Sequence, residues 1–129
     1  MRLLLDTHVM LWWLLGDERL PMSARDLIDA DSSECSVSMA SIWEVAIKSS
    51  LGRGLPHGVT AERYTNLIDE AGFTTLAIRV AQVVGVEKLD HAHGDPFDRL
   101  MVAQARAEAM LFITHDKALA AYGEFVKLV

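Results

Sequence analysis

The sequence predicts an α/β fold, in which a mainly parallel sheet is covered by helices on both faces. Short apolar runs alternate along the chain with longer segments of helical periodicity, and strands that alternate with helices form parallel sheets. Two of the runs, Arg2–Leu5 and Met110–Thr114, are apolar at nearly every position, as expected for strands buried on both faces. Hydrophobic residues make up 51% of the 129 positions, which is enough for the core of a single domain over residues 1–129.

The predicted elements up to residue 71 are bounded by capping residues and helix breakers. Pro21 with the pattern Ser23-x-x-Asp26 predicts one helix start, and Thr60 predicts another. The segment Leu51–Gly58 is rich in Gly and Pro and is predicted to be a loop. The elements are the strand Arg2–Leu5, the helix Val9–Leu15, a helix from Pro21 to about Asp31, the strand Glu34–Ser38, a helix from about Ala40 that includes Ile47, and the helix Ala61–Ala71.

The helix that begins at Pro96 is the best-defined element of the remaining chain. Proline lacks a backbone N–H and has a fixed φ, which suits the first helical position and makes Asp95 the N-cap and Asp98 a residue of the first turn. This helix is expected to end near Ala109. The other elements are the strand Phe73–Ile78, the helix Arg79–Glu87, the polar connector Asp90–Gly94, the strand Met110–Thr114, a helix over Lys117–Ala121 and the edge strand Glu124–Leu128.

The segment Val9–Leu15 is apolar on all sides, so this helix is expected to be buried on more than one side, and this helix or its neighbours are expected to form a subunit interface. Trp12 and Trp13 lie about 100° apart on a helix, so one is expected to face the core and the other a neighbouring element or a second subunit. Asp6 and His8 interrupt the N-terminal apolar run, which argues against a signal peptide or a membrane span.

Charge and cysteine content limit the classes of function. The formal net charge is −6, from 12 basic and 18 acidic residues, which counts against a module that coats nucleic acid through surface charge. It does not exclude a nuclease whose positive charge arrives with bound metal ions. Because Cys35 is the single cysteine, an internal disulfide and a cysteine-rich zinc site are excluded, and a reducing, cytoplasmic location is expected.

Four carboxylates occupy positions that an α/β fold brings together. Asp6 and Asp116 each follow a predicted strand, and sites in open parallel sheets form outside the carboxyl ends of the strands. Glu44 and Asp98 lie in the first turns of helices that begin near the same edge if the connections are short. Without counter-charge these carboxylates would repel and raise one another's pKa. A divalent cation is the simplest solution, and oxygen ligands favour Mg²⁺ or Mn²⁺ over zinc.

Such a cluster suits phosphodiester hydrolysis, in which bound metal lowers the pKa of an attacking water and stabilises the leaving oxygen. Asp95 is expected to act more as a helix cap that supports the site than as a direct ligand, and capping is also the structural alternative for Asp6 and Asp116. Hydroxyls of Thr7 and Thr114 can orient ligands or waters. Contacts to RNA or its phosphates are predicted for Arg99, Lys117, Arg53 and His115, and less strongly for Lys48.

Four segments carry a resemblance to a known family: Leu3–His8, Ser41–Lys48, His93–Ala105 and Ile113–Asp116. Together they resemble PIN-domain ribonucleases, specifically the VapC-like toxins of bacterial toxin–antitoxin pairs. The segments occur in order over nearly the whole chain, and the stretch from Asp95 through Arg99 with the helix that follows it is the most specific of them.

This resemblance implies a three-layer α/β/α sandwich and an RNA endonuclease activity that depends on Mg²⁺ or Mn²⁺. It also implies a homodimer that a cognate antitoxin neutralises. By motif, Asp6 matches the first metal-binding acid, Glu44 the helix glutamate, Asp98 the third acid and Asp116 the fourth. Either Asp95 or Asp98 can be the third ligand, and we favour Asp98 because capping occupies Asp95.

Three other functions are open at this level. A haloacid-dehalogenase-like phosphatase also carries an Asp after its first strand, but it needs a second Asp where His8 stands. A receiver-like signalling or binding module with an acidic pocket needs an acid after a central strand, whereas the third strand ends at Ile78 without one. His8 and His115 can also support metal-free RNA cleavage by general acid–base catalysis, which would continue in EDTA.

Overall fold

The centre of the molecule is a five-stranded sheet in which every strand is parallel to its neighbours, as predicted. The structure is a computed structural model that describes residues 1–90 and 94–129. The strand order in space is β3-β2-β1-β4-β5, so the first strand lies in the middle. The strands are β1 (Arg2–Leu5), β2 (Glu34–Ser38), β3 (Thr74–Leu76), β4 (Leu111–Thr114) and β5 (Val126–Leu128).

Helices connect the strands and cover both faces of the sheet. None of those in the described ranges is long and apolar enough to cross a lipid bilayer. The α-helices are α1 (Thr7–Leu14), α2 (Met22–Asp29), α3 (Met39–Ser50), α4 (Ala61–Glu70), α5 (Val80–Val86) and α6 (Pro96–Ala107), and short 3₁₀ helices occupy Pro56–Gly58 and Lys117–Tyr122.

The side chains of β1 show how the sheet divides the core in two. Leu3 and Leu5 point to one face, where they pack with α1, α2 and α4. Leu4 points to the opposite face, where it packs with α6 and with the 3₁₀ helix that follows β4. This alternation is the two-residue period of a strand, and both sets of side chains are fully buried. The result is the predicted three-layer α/β/α sandwich.

Helix α1 lies inside the protomer. Its residues from Val9 to Trp12 are buried against the chain's own elements. Trp13 packs against Phe73 with ring centroids 4.9 Å apart, and its indole N–H donates to Asp29 over 2.8 Å. The second tryptophan therefore meets neighbouring elements of the same chain. Trp13, Leu14 and Leu15 are only partly buried, and the prediction that α1 or its neighbours form a subunit interface stays a prediction.

Helix α2 begins at the predicted place. Its N-cap is Pro21, whose carbonyl accepts hydrogen bonds from the N–H groups of Ala24 and Arg25. The predicted capping role of Ser23 is wrong, because Ser23 already lies inside the helix and no side chain caps this end. The helix also ends before Asp31, because Ala30 is extended.

The edge of the sheet and the C-terminal region differ from prediction in length and type. Strand β3 is shorter than Phe73–Ile78, because its partner β2 ends at Ser38 and leaves no ladder beyond Leu76. The segment after Asp116 is a 3₁₀ helix that runs to Tyr122. The predicted polar connector Asp90–Gly94 includes residues 91–93, which lie outside the described residues.

Candidate active site

A cleft of about 310 Å³ opens at the carboxyl ends of β1 and β4. Chain segments that are far apart in sequence converge there, as the rule for open parallel sheets predicts. All four acids predicted for the site line this cleft, together with Asp95. Its lining is formed by Asp6, His8, Trp12, Glu44, Lys48, Asp95, Asp98, His115 and Asp116.

Three of these acids are helix N-caps, so three helix N-termini meet at the cleft. Asp6 caps α1, Asp95 caps α6 and Asp116 caps the 3₁₀ helix after β4. Asp95 accepts from the N–H groups of Phe97 and Asp98 over 2.8 and 3.1 Å. Capping thus holds these carboxylates in place, and the exposed N–H groups at helix starts favour negative charge nearby.

Asp6 is buried and both of its oxygens are engaged. Oδ1 accepts from the backbone N–H of Thr7 over 2.7 Å, and Oδ2 accepts from the hydroxyl of Thr114 over 2.6 Å. Burial raises the pKa of Asp6 to about 6 although these two hydrogen bonds lower it, and the charges of Glu44 and Asp116 raise it further. Thr114 also accepts from the backbone N–H of Asp116 and so links two of the acids.

Asp98 carries the largest electrostatic perturbation of the cleft. Partial burial together with the charges of Asp6, Asp95, Glu44 and Asp116 raises the pKa of its carboxyl to about 8. Burial is the largest cause of this shift, and the four neighbouring carboxylates add to it. Asp98 projects from the first turn of α6 toward the cleft, while Asp95 is engaged by the backbone, as the sequence predicts.

Glu44 is held by both of its oxygens. Lys48, one turn further along α3, donates to Oε2 over 2.5 Å, and the hydroxyl of Thr7 donates to Oε1 over 2.5 Å. Thr7 donates its single hydroxyl proton to Glu44, so in its contact with Ser41 it must accept, over 2.7 Å. Ser41 therefore donates to Thr7 and accepts from the Tyr64 hydroxyl over 2.8 Å. A directed chain of hydroxyls, Tyr64–Ser41–Thr7, therefore ends on the Glu44 carboxylate.

The other wall of the cleft is aromatic. Trp12 lies between His8 and His115, with ring centroids 6.0 and 5.2 Å away, and the Arg19 guanidinium stands 5.5 Å from its ring centroid. Burial lowers the pKa of His8 below its usual value, which favours the neutral imidazole. His115 is oriented through Nδ1, which lies 2.6 Å from the carbonyl oxygen of Val129.

The residues predicted to contact RNA do not all reach this cleft. His115 lines it, whereas Lys117 and Arg53 are exposed outside its lining. Arg99 donates to the Tyr122 hydroxyl and to the carbonyl of Val86, over 2.9 and 3.2 Å, and so ties α6 to its neighbours. For these four residues a contact with RNA stays a prediction.

Sequence reasoning missed several residues that shape the site. Lys48 is predicted only as a weaker RNA contact and not as the partner of Glu44, although its spacing of four residues from Glu44 on one helix is a readable signal. Ser41 and Tyr64 carry no such signal, because their hydroxyls reach Thr7 only after α3 and α4 pack together. The position of Trp12 beside His8 and His115 likewise has no sequence signal, because it depends on how α1 packs against the segment after β4.

The five carboxylates that line the cleft suit a hard divalent cation, because Mg²⁺ and Mn²⁺ prefer oxygen ligands. Burial and the neighbouring carboxylates raise the pKa values of Asp6 and Asp98, and a bound cation would favour their ionised forms. Even so, no three His, Cys, Asp or Glu side chains within residues 1–90 and 94–129 are grouped so as to hold a metal ion as they stand. The chemistry of the carboxylate donors nevertheless fits a divalent cation.

Comparison with known proteins supports the same fold. The family model for the PIN domain matches residues 3–124. The structure of VapBC2 from Rickettsia felis, bound to a DNA fragment from its promoter, matches with a TM-score of 0.70 at 14% identity, covering 100% of this chain and 98% of that chain. A toxin–antitoxin complex from Klebsiella pneumoniae matches with a TM-score of 0.61 at 17% identity, covering 91% and 89%. A comparison with curated proteins gave no match.

Proposed function

The chain belongs to the PIN-domain family, and on that premise we propose that it is a metal-dependent RNA endonuclease that acts as the toxin of a toxin–antitoxin pair. One observation carries the proposal. Carboxylates from four separate parts of the chain line a single cleft, and two of them have strongly raised pKa values. A protein retains such repulsion at a cost in stability, so a function that requires cation binding is the best explanation for it.

Asp6, Glu44, Asp98 and Asp116 would hold the Mg²⁺ or Mn²⁺, with Asp95 as the alternative to Asp98. A bound ion of this kind supplies an activated water at neutral pH and neutralises charge on the scissile phosphate. The chain's own hydroxyls fix the carboxylates: Thr114 orients Asp6, and Thr7 orients Glu44. We assign these two threonines to that orienting role, which is the usual function of hydrogen-bond partners behind metal ligands.

The RNA backbone would be bound at the helix N-termini around the cleft and by cations at its edge. His115 lines the cleft, and Lys117 stands exposed at the start of the 3₁₀ helix next to Asp116. Arg53 is exposed at the C-terminal end of α3 and can extend the phosphate track. Arg99 is the weakest candidate, since its guanidinium already bonds to Tyr122 and Val86.

The partners follow from the same proposal. The two structural matches are toxin–antitoxin assemblies, which supports a cognate antitoxin protein as partner of this chain. A homodimer and a cytoplasmic location belong to the proposal as well. The antitoxin would block the cleft or its approach, because neutralisation requires that RNA be kept from the carboxylates.

The proposal is tested by cleavage of a mixture of structured RNAs with antitoxin-free protein, in Mg²⁺ or Mn²⁺ and then in EDTA. We expect cleavage that stops in EDTA and is lost in Asp6→Asn, because that variant removes a carboxylate at the centre of the cleft. Asp69→Asn is the matched control, since Asp69 is exposed on α4 away from the cleft, and it should cleave like wild type. Well-folded protein that cleaves no RNA in any metal would contradict the proposal.

Metal-free cleavage is the second candidate mechanism, and one observation favours it. His8 and His115 both line the cleft, on either side of Trp12, and the lowered pKa of His8 suits a general base. The same assay separates the two mechanisms. Cleavage that persists in EDTA, tolerates Asp6→Asn and fails in His8→Ala would replace the metal mechanism by acid–base catalysis.

A further inference from the structure

We propose that Lys48 is a tethered counter-ion, which holds Glu44 in the metal-free protein and is exchanged for the divalent cation when the site loads. The inference rests on the proposed function, because it concerns the same cleft. It adds a residue whose role is to control the occupancy of the metal site.

The contact between Lys48 and Glu44 is short and partly shielded from water. The ammonium lies 2.5 Å from Oε2, and the exposed fractions of the two side chains are 30% for Lys48 and 3% for Glu44. The two residues are one helical turn apart on α3, with the glutamate toward the N-terminus, which is the favourable order for such a pair. An ion pair in this setting is screened far less than one on the open surface.

The charge balance of the cleft explains why this pair forms. Among the described residues that line it there are five carboxylates and one lysine, Lys48. A carboxylate as buried as Glu44 is strongly disfavoured without a partner of opposite charge. Lys48 supplies that partner from within the chain, so the metal-free cleft is partly neutralised.

The pair also opposes binding of a divalent cation to Glu44. Oε2 accepts from the ammonium and Oε1 from the Thr7 hydroxyl, so a cation bound to Oε2 would lie next to the ammonium. The two positive charges would repel at that range, which weakens metal binding while Lys48 stays in place. Loading is therefore favoured when Lys48 leaves, and its flexible, partly exposed side chain can swing toward solvent.

The exchange predicts a counterintuitive effect of removing Lys48. Lys48→Met keeps most of the apolar length of the side chain but removes its charge, so the antitoxin-free protein should bind Mn²⁺ about tenfold more tightly or more, measured by calorimetry. In EDTA the variant should melt at a lower temperature than wild type, because Glu44 has lost its partner. Saturating Mn²⁺ should then raise its Tm by more than it raises the Tm of wild type.

Two control variants isolate the position of the charge from its loss. Lys88→Met removes the same charge from an exposed residue after α5, outside the cleft lining, and should bind Mn²⁺ like wild type. Lys48→Arg keeps the charge and should not tighten binding. Mn²⁺ affinity in Lys48→Met that is equal to or weaker than that of wild type overturns the inference, whereas wild type and Lys48→Met that both bind no divalent cation overturn the proposed metal site as well.

A measurement on the wild-type chain decides the matter even if Lys48→Met does not fold. NMR of the ¹⁵N-labelled lysine ammonium groups should show a Lys48 signal that is protected from exchange in EDTA and lost on titration with Mg²⁺. The signals of the other lysines should stay unchanged. A Lys48 signal that persists at saturating Mg²⁺ would show that the pair survives metal loading, and the exchange would be rejected.

Discussion

Asp98 is the residue at which structure and chemistry are most closely linked. It lies in the first turn of α6, where its backbone N–H donates to the capping residue Asp95, and its side chain lines the cleft with the other acids. Burial and those charges raise its pKa to about 8, so at neutral pH the metal-free protein keeps a proton on it. A bound cation would reverse this preference and release the proton. Metal loading is therefore expected to be favoured as pH rises.

The raised pKa of Asp98 predicts a pH-dependent effect of Asp98→Asn on stability. The folded state binds the proton more tightly than the unfolded state, so this group stabilises the fold below about pH 4 and loses that contribution as pH rises through about 8. In EDTA, Asp98→Asn should thus match the wild-type Tm at pH 4 and exceed it at pH 8.5. Cleavage should be abolished, and the Tm increase caused by Mn²⁺ should shrink.

Asp69→Asn serves as control for the melting series, and its Tm difference from wild type should not change with pH. If the Tm difference between Asp98→Asn and wild type is also independent of pH, the raised pKa of Asp98 is contradicted. If Asp98→Asn cleaves normally while Asp95→Asn is inactive, Asp95 is the third ligand and our assignment is wrong.

The sequence predicts the location of those site residues whose position follows from the topology of the sheet. Asp6 and Asp116 stand directly after parallel strands, so their convergence needs no knowledge of packing. The hydroxyl chain from Tyr64 is different, since it depends on how α4 docks against α3. Pairing of Lys48 with Glu44 in preference to solvent likewise depends on the shape of the cleft.

The two ends of helix α6 are fixed in different ways. Its start follows from Asp95 and Pro96, but its end is set by Ala109, which adopts a positive φ of 54°. This left-handed conformation lets the N–H of Met110 bond to the carbonyl of Ala105 and turns the chain into β4. Glycine is the usual residue at such a position, and alanine there is strained.

The strain at Ala109 predicts that Ala109→Gly stabilises the protein by about 0.5–1 kcal/mol, because relief of the left-handed conformation outweighs the added freedom of the unfolded chain. Urea unfolding in EDTA measures this difference. Ala107→Gly, two residues earlier in the last turn of α6, should destabilise by about the same amount. Equal effects of the two substitutions would contradict the argument.

The elements that sequence patterns predicted best are those fixed by local chemistry. Thr60 caps α4 by accepting from the N–H of Arg63, as its pattern indicates. The failures have non-local or competing causes. The length of β3 depends on where its neighbour β2 ends. Ser23 does not cap α2, because the helix already begins after Pro21.

Several large apolar side chains are exposed along helix α3. Met39, Trp43, Ile47 and Leu51 recur every four residues along α3, with exposed fractions between 40% and 59%. Trp43 packs edge-on against Phe97 over 4.8 Å, so this stripe extends toward the start of α6. A stripe that crosses three helical turns is too long to be a scatter of single exposed residues, and it marks an interaction surface.

We expect this stripe to be the contact of the proposed homodimer, on a helix that neighbours α1. In a two-fold dimer the same α3 surface meets its own copy, so Ile47→Glu places two carboxylates in one apolar contact. The variant should weaken the dimer at least about a hundredfold, because it removes buried apolar area and buries unpaired charge. Light scattering at tens of micromolar should then report a dimer for wild type and a monomer for Ile47→Glu.

A second exposed apolar group on α5 provides the matched control for this prediction. Val83 is exposed to a similar degree as Ile47, so Val83→Glu tests whether any charge on an apolar patch disrupts assembly. It should leave the dimer intact, and both variants should keep the wild-type Tm of the protomer, since neither side chain is part of the core. A dimer that Val83→Glu dissociates and Ile47→Glu does not would place the interface on α5. That outcome would leave the α3 stripe as the surface available to the antitoxin.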